Sequence, residues 1–154
     1  MDDRQNLIPV NEYVADDEQL ARIIFSPSMI FKGAVSPSAF NLVRLKSGTD
    51  EDYVSVNRMD YCRPTYENCK IYRPRNEGDS IAGYAQITAR EVRQSSIESI
   101  TTEVTSHPSK RNPFHAGISY TSGAELIKGH CMRPDFLIVT STLALRCTFI
   151  PFEK

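Results

Sequence analysis

The sequence lacks the features that mark several large classes of protein. No run of apolar residues approaches the roughly 18 that are needed to cross a membrane. The first residues, MDDRQNLIPVNEY, have neither the basic nor the apolar region of a secretory signal, which predicts a cytoplasmic protein with no membrane association. The formal net charge is −1, so any surface for nucleic acid has to be local.

Motifs of catalysis and cofactor binding are also missing. The sequence has no glycine-rich phosphate loop, no nucleophile elbow and no H-E-x-x-H. None of the four cysteines belongs to a C-x-x-C pair, and without an export signal we predict reduced thiols. A zinc site built from Cys62, Cys69 and His130–Cys131 is an alternative, although the spacing of the first two fits no common zinc knuckle. We therefore predict no metal and no cofactor.

What is present fits a small globular domain. The chain has 154 residues, of which 40% are hydrophobic and 24% are charged, both ordinary values. Strand-like and helix-like segments follow one another without a regular βαβ alternation. We predict a single α+β domain over residues 1–154, a mainly antiparallel sheet of about five strands with two or three short helices on one face. Residues 1–15 are rich in acids and are predicted to form a loosely ordered tail.

The clearest strand lies within residues 52–61, where Val54 and Val56 alternate with polar side chains. Further strands are predicted at residues 82–88 and through SIESITTEVTS and FHAGISYTSG. In the last of these, alternation divides the side chains between two faces. One face carries His115, Ser119 and Thr121, and the other carries Ala116, Ile118 and Tyr120.

Helices are predicted in four places. The segment DEQLARIIF has apolar residues at helical spacing and an aspartate that can cap it, and AREVRQ fits a single helical turn. A short helical piece is expected in AELIKGHCM. Pro134–Asp135 suits the first turn of a helix through FLIVTSTLALRC, although its β-branched residues leave a buried strand as an alternative. The segment TFIPF is expected to be extended.

One polar constellation is a candidate site, formed by Ser55, Asn57, Arg58, His115, Ser119 and Tyr120. If the two strands face one cleft, Arg58 can bind a phosphate or carboxylate as a planar fork, and His115 can act as acid or base. We predict Arg58, His115 and Ser55 as the catalytic set, and Asn57, Ser119 and Tyr120 as ligand-binding residues.

Both central residues of this constellation have plainer interpretations. His115 can simply satisfy a loop carbonyl at the start of its strand. Arg58 shares strand parity with Val54 and Val56, so it either lies beyond the buried part of the strand or makes a buried ion pair. Because both residues are at strand ends bordered by loops, we predict that they lie within about 10 Å of each other.

A second candidate surface is basic and tyrosine-bearing. Residues 58–75 contain five basic side chains, and three tyrosines are interspersed among them. Tyrosines among basic residues can stack on nucleobases while the cationic side chains bind phosphates. An ordinary exposed loop can have the same composition. The predicted nucleic-acid contacts are Arg73 and Arg75, with Lys110 and Arg111 in the loop HPSKRNP.

Four short motifs occur in an order that resembles a family of small uncharacterised bacterial proteins. They are SPSAF (Ser36–Phe40), SVNR (Ser55–Arg58), GYAQIT (Gly83–Thr88) and NPFHAGI (Asn112–Ile118). The resemblance covers roughly residues 20–120. It implies a bacterial cytoplasmic protein and supplies no established activity or fold.

Three classes of function follow from these observations. Because no complete catalytic set is visible, the leading hypothesis is a non-catalytic binding or regulatory module, with a protein partner. The first alternative is an enzyme that acts on a nucleotide or phosphorylated ligand through the cluster of Arg58, His115 and Ser55. The second alternative is an RNA- or DNA-binding protein that uses residues 58–75 and 110–111.

Overall fold

The structure is a computed structural model that describes residues 12–74 and 76–153. Its class is α+β, as predicted, with strands dominating. The elements in chain order are β1 (Gln19–Ser26), β2 (Ile30–Phe31), β3 (Ala34–Val35), a 3₁₀ helix (Pro37–Phe40), β4 (Val54–Arg58), α1 (Tyr66–Cys69), β5 (Ser80–Thr88), α2 (Ala89–Gln94), β6 (Thr101–Ser106), β7 (His115–Ser122), β8 (Glu125–Leu126), α3 (Pro134–Arg146) and β9 (Thr148–Pro151).

The main sheet of the described chain has seven strands, against the five or so predicted. Six of them follow the order β6-β7-β4-β1-β5-β9, and β8 pairs with β7. Every pairing is antiparallel. The predicted strands correspond to β4, β5, β6 and β7, and the extended TFIPF segment supplies β9. The short strands β2 and β3 form a separate hairpin.

The predicted helix through DEQLARIIF is wrong, because this segment is the central strand β1. Its apolar residues are divided between the two faces of the sheet, with Leu20 and Ile24 in one hydrophobic cluster and Ala21 and Ile23 in the other. A strand that is buried on both faces has no alternation of apolar and polar residues. Its continuous apolar run therefore imitates a buried helix in the sequence.

One other local prediction is wrong, one short helix was missed and one alternative is settled. The helical piece expected in AELIKGHCM is wrong, because Gly123 adopts a positive φ of 63° and turns the chain back so that β8 pairs with β7. The short helix α1 was not predicted, although Thr65 and Asn68 form a reciprocal capping box at its start. The segment after Pro134 is helical rather than a strand.

The sheet is covered on both faces. The larger hydrophobic cluster lies between one face and the helices α2, α3 and the 3₁₀ helix, with Val92, Phe136 and Phe40 among its buried members. The smaller cluster lies on the opposite face, where Cys69 of α1 packs with Ile23 and Tyr84. In β4, Val54 and Val56 belong to the larger cluster, whereas Ser55 and Asn57 lie on the opposite face of the sheet and are partly buried.

The predicted acidic tail is only partly described, because residues 1–11 lie outside the described residues. Next to them, Val14 is buried, and the carbonyl of Tyr13 accepts a hydrogen bond from Arg58. The backbone amide of Ala15 donates to Glu18. Residues 13–15 are therefore packed against the domain rather than loose.

Three findings concern membrane spans, disulfides and metal sites. No helix within residues 12–74 and 76–153 is long and apolar enough to cross a membrane. All four cysteines are described and none is joined in a disulfide. Within the same residues, no group of three or more His, Cys, Asp or Glu side chains is arranged to hold a metal ion.

Candidate functional site

Arg58 faces the main core, together with Val54 and Val56, and is fully buried. Its Nε and Nη2 atoms each donate to one carboxylate oxygen of Glu18, both at 2.8 Å. Nη2 also donates to the carbonyl of Tyr13 at 3.2 Å. Of the two positions that strand parity allowed, the structure has the buried ion pair. Arg58 is therefore turned away from the sheet face that carries His115.

The Glu18 carboxyl is kept in its charged form by this pairing. Burial raises its pKa, but the hydrogen bonds from Arg58 and the Ala15 amide, together with the Arg58 charge, lower the pKa overall. The two side chains thus form a charged pair inside the domain, between the segment before β1 and the end of β4.

Tyr120 also lies in the core. Its hydroxyl donates to the carbonyl of Phe40 at 2.7 Å, and its ring meets Phe136 edge to face with centroids 4.8 Å apart. Burial raises the pKa of the phenol well above its ordinary value. The alternation predicted for β7 is confirmed, and it separates Tyr120 from His115 and Ser119, which belong to the opposite face.

A cavity of about 200 Å³, here called the central cavity, opens between β1 and β4. The two strands pair at Leu20–Arg58 and Ala21–Asn57. At the next position, Arg22 donates to the carbonyl of Ser55 at 3.1 Å, and to that of Ala39 at 2.8 Å. The cavity is lined by Arg22, Ile23, Phe25, Met29, Ser55, Val56, Asn57, Tyr72, Arg73 and His115.

Four residues singled out from the sequence meet at this cavity: Ser55, Asn57, His115 and Arg73. They come together because Asn57 lies opposite His115 in the β4–β7 pairing, and Ser55 shares the face of Asn57. Ser119 is on the same face of β7 but does not line the central cavity. Arg58 and Tyr120 are not at the cavity.

The ring of His115 is held in one orientation. Its Nδ1 lies 3.0 Å from the carbonyl oxygen of His107, which can only accept, so Nδ1 carries the hydrogen. The plainer interpretation of His115 is therefore correct about the loop carbonyl, yet the same ring lines the cavity. In the neutral ring, Nε2 keeps a lone pair. Burial lowers the pKa of His115 and outweighs the carbonyl of His107, while the His107 charge lowers it further.

The lowered pKa of His115 predicts how stability changes in mild acid. Between its ordinary pKa of 6.5 and the lower folded-state value, the unfolded chain binds more protons than the folded one. The contribution of His115 is therefore complete above pH 6.5 and falls as the pH drops below it. Urea unfolding at neutral and mildly acidic pH measures this loss. We expect His115→Gln to reduce the pH dependence of the free energy of unfolding, and an unchanged pH dependence in this variant would contradict the prediction.

Asn57 joins the cavity to the loop before β7. Its Oδ1 accepts from Nδ2 of Asn112 at 2.5 Å, and its own Nδ2 donates to the hydroxyl of Tyr72 at 3.5 Å. Asn112 in turn accepts from the amide of Phe114. Because both ends of its amide are engaged, Asn57 presents a fixed polar edge to the cavity.

Two larger cavities adjoin the central one. The second, of about 480 Å³, shares Phe25, Met29 and Arg73 with it. The third, of about 560 Å³, shares Tyr72 and His115, and Arg111 also lines it.

Two of the four predicted nucleic-acid residues, Arg73 and Arg111, thus line adjoining cavities on one side of the sheet. Lys110 is exposed and lines none of the three. Arg75 lies outside the described residues.

Sequence reasoning missed Arg22 and Gly117. Arg22 is 6% exposed, and its signal was a single arginine inside the apolar run of β1. Gly117 lies beneath the ring of Tyr53, where an added Cβ would come within 2.5 Å of Cδ2. Its signal was a glycine in the middle of a strand, which often marks a close approach of another group.

No protein-family model, curated protein or solved structure matches this chain. The resemblance based on the four ordered motifs stays a prediction. The function is therefore argued from the cavity and the residues around it.

Proposed function

We propose that this protein is a non-catalytic binding module that holds an anionic group, a phosphate or a carboxylate, in the central cavity. The observation that carries the proposal is the lining of this cavity. Two guanidinium groups, those of Arg22 and Arg73, line it, and none of the described lining residues is a carboxylate. A guanidinium matches the oxygen pairs of both anions, and hydrogen bonds to a charged group are the stronger ones.

The remaining walls favour a ligand that is not purely ionic. Ser55 and Asn57 offer polar groups, while Ile23, Phe25 and Met29 supply apolar surface. Because Arg22 is almost completely buried, its charge is screened less than that of an exposed arginine. A small organic phosphate, with an apolar or flat part beside its anionic group, fits this combination.

The geometry favours binding over catalysis. The catalytic set considered from the sequence was Arg58, His115 and Ser55, but Arg58 is paired with Glu18 on the opposite face of the sheet. The Nε2 atom of His115 can accept a proton. The described residues that line the cavity include no carboxylate that could act as a second acid or base. What remains is a small cavity lined by two arginines and by polar and apolar side chains.

The proposal includes a cytoplasmic location, which four cysteines without a disulfide support because thiols persist in a reducing compartment. The resemblance to small bacterial proteins is consistent with this location. The predicted protein partner stays a prediction.

Titration of ¹⁵N-labelled protein with inorganic phosphate, and separately with uridine 5′-monophosphate, tests the proposal. We expect saturable shifts of the Ser55, Asn57 and His115 signals. Ser55→Leu, which fills the cavity from β4, should remove the saturable response. Ser119→Leu makes the same change on the same face of the sheet but away from this cavity, so it should leave binding intact. The proposal would be contradicted if neither probe produced saturable shifts in the wild-type protein and neither changed its melting temperature.

A further inference from the structure

The three cavities adjoin one another and are together called the groove. The central cavity shares Arg73 with the second cavity and Tyr72 with the third, so the residues at each junction belong to both neighbours. The lining of the groove therefore includes Lys46 in the second cavity and Arg111 in the third, on either side of the residues that these cavities share with the central one. A ligand confined to the central cavity would leave the other two cavities empty.

Positive charge is distributed along the groove. Arg44, Lys46 and Arg73 line the second cavity, and Arg111 lines the third. Nη1 of Arg44 also lies 3.8 Å from Oδ1 of Asp50. Both side chains are exposed, so solvent screens this ion pair.

Among the described lining residues of the groove, the carboxylate is Asp79. One of its oxygens accepts from the amide of Ser28 at 3.1 Å, and the other accepts from the hydroxyl of the same serine. Both oxygens are thus engaged locally, and the groove as a whole favours an anion at several points along its length.

Aromatic side chains line the same three cavities. Tyr72 lies at the junction of the central and third cavities, and Phe25 at the junction of the central and second. In the third cavity, the rings of Tyr53 and His107 are stacked, with centroids 4.2 Å apart and planes at 8°. Gly117 allows this pair to approach the sheet closely, because any Cβ there would collide with both rings.

We propose that the groove binds a segment of single-stranded nucleic acid, with at least two linked nucleotides held along it. This inference rests on the proposed function, because one phosphate would occupy the anion site of the central cavity. A repeating ligand of flat base and phosphate matches a lining that combines aromatic side chains with cations. Base stacking on aromatic rings requires unpaired bases, and a cavity of about 200 Å³ has no room for a base pair with its two backbones.

The test uses a fluorescently labelled short oligouridine, with binding followed by anisotropy at several salt concentrations. We expect binding that weakens with salt. Arg73→Ala and Arg111→Ala should each weaken it and should each reduce the slope of log K against log salt by about 0.7, the value for one phosphate contact on a single strand. Arg90→Ala removes the same charge from an exposed position in α2, over the other face of the sheet, and should change neither quantity.

The outcomes separate this inference from the proposed function. If oligouridine does not bind while inorganic phosphate still gives saturable shifts, the nucleic-acid inference fails and the proposed function stands. If neither binds, both fail. Uridine 5′-monophosphate binding as tightly as the strand would also overturn the inference, because it would place the whole ligand in one cavity. So would equal competition by a hairpin duplex or by inorganic polyphosphate, or an Arg90→Ala effect equal to that of Arg73→Ala.

Discussion

Replacing Arg58 with alanine is expected to lower the free energy of unfolding by about 3–5 kcal/mol, the usual cost of removing one member of a buried ion pair. The change leaves the Glu18 carboxylate inside the domain without the two nitrogens that contact it at 2.8 Å. It also removes the donor to the carbonyl of Tyr13. Urea unfolding followed by circular dichroism measures the loss.

Three comparisons identify the cause of this loss. Arg58→Lys keeps the charge but not the planar fork, so its effect should be smaller. The double variant Glu18→Leu with Arg58→Met replaces the pair with apolar side chains and should recover much of the stability. Arg133→Ala breaks an exposed pair with Asp135 and should have little effect. An Arg58→Ala protein as stable as the wild type would show that the pair does not support the fold.

The pair also predicts the direction of an acid effect. Because the pKa of Glu18 is lower in the folded protein, its contribution to stability is complete above the ordinary value of 4.5 and is lost as the pH falls through the folded-state value. Arg58→Ala should remove this part of the acid sensitivity.

Tyr120→Ala is expected to cost about 3–5 kcal/mol of unfolding free energy, as for other large aromatic residues truncated in a core. The ring is fully buried and packs edge to face on Phe136. Tyr120→Phe keeps the ring and deletes only the donor to the carbonyl of Phe40, which should cost about 1–3 kcal/mol because a buried acceptor loses its partner. Thermal and urea unfolding of both variants measure the two contributions.

The Tyr120 variants also separate core from site. Since Tyr120 lies on the opposite face from His115, Tyr120→Phe should bind inorganic phosphate as the wild type does. Tyr53→Phe, on the groove side, should change stability less than Tyr120→Phe. Loss of phosphate binding in a folded Tyr120→Phe protein would return Tyr120 to the ligand-binding residues predicted from the sequence.

Much of the sheet could be predicted because its strands obey simple alternation. Val54 and Val56 are buried while Ser55 and Asn57 face the other side, and the two faces of β7 are divided as expected. The spacing of Phe136, Val139 and Leu143 correctly indicated the buried side of α3. In each case one face of the element meets the core and the other does not, which leaves a pattern in the sequence.

The rest depended on contacts that local sequence does not contain. The partner of Arg58 is Glu18, which precedes it by 40 residues. The candidate cavity exists because β1 and β4 share only a short ladder, and Arg22 reaches across beyond it. Neither the length of a ladder nor the reach of a buried arginine follows from residue type. Strand parity left two possibilities for Arg58, a position beyond the buried part of the strand or a buried ion pair. Only the folded structure shows which of them occurs.

The central position of β1 has a consequence for how the chain is made. Both strands that pair with β1 follow it, and β5 begins only at Ser80. While these partners are still being synthesised, the segment Leu20–Phe25 has two unpaired edges and an almost continuous apolar sequence, a combination that favours aggregation. Arg22 is the charge that interrupts this segment. The arginine that lines the cavity thus also places a charge inside this apolar run, and charges at such positions oppose the aggregation of hydrophobic strands.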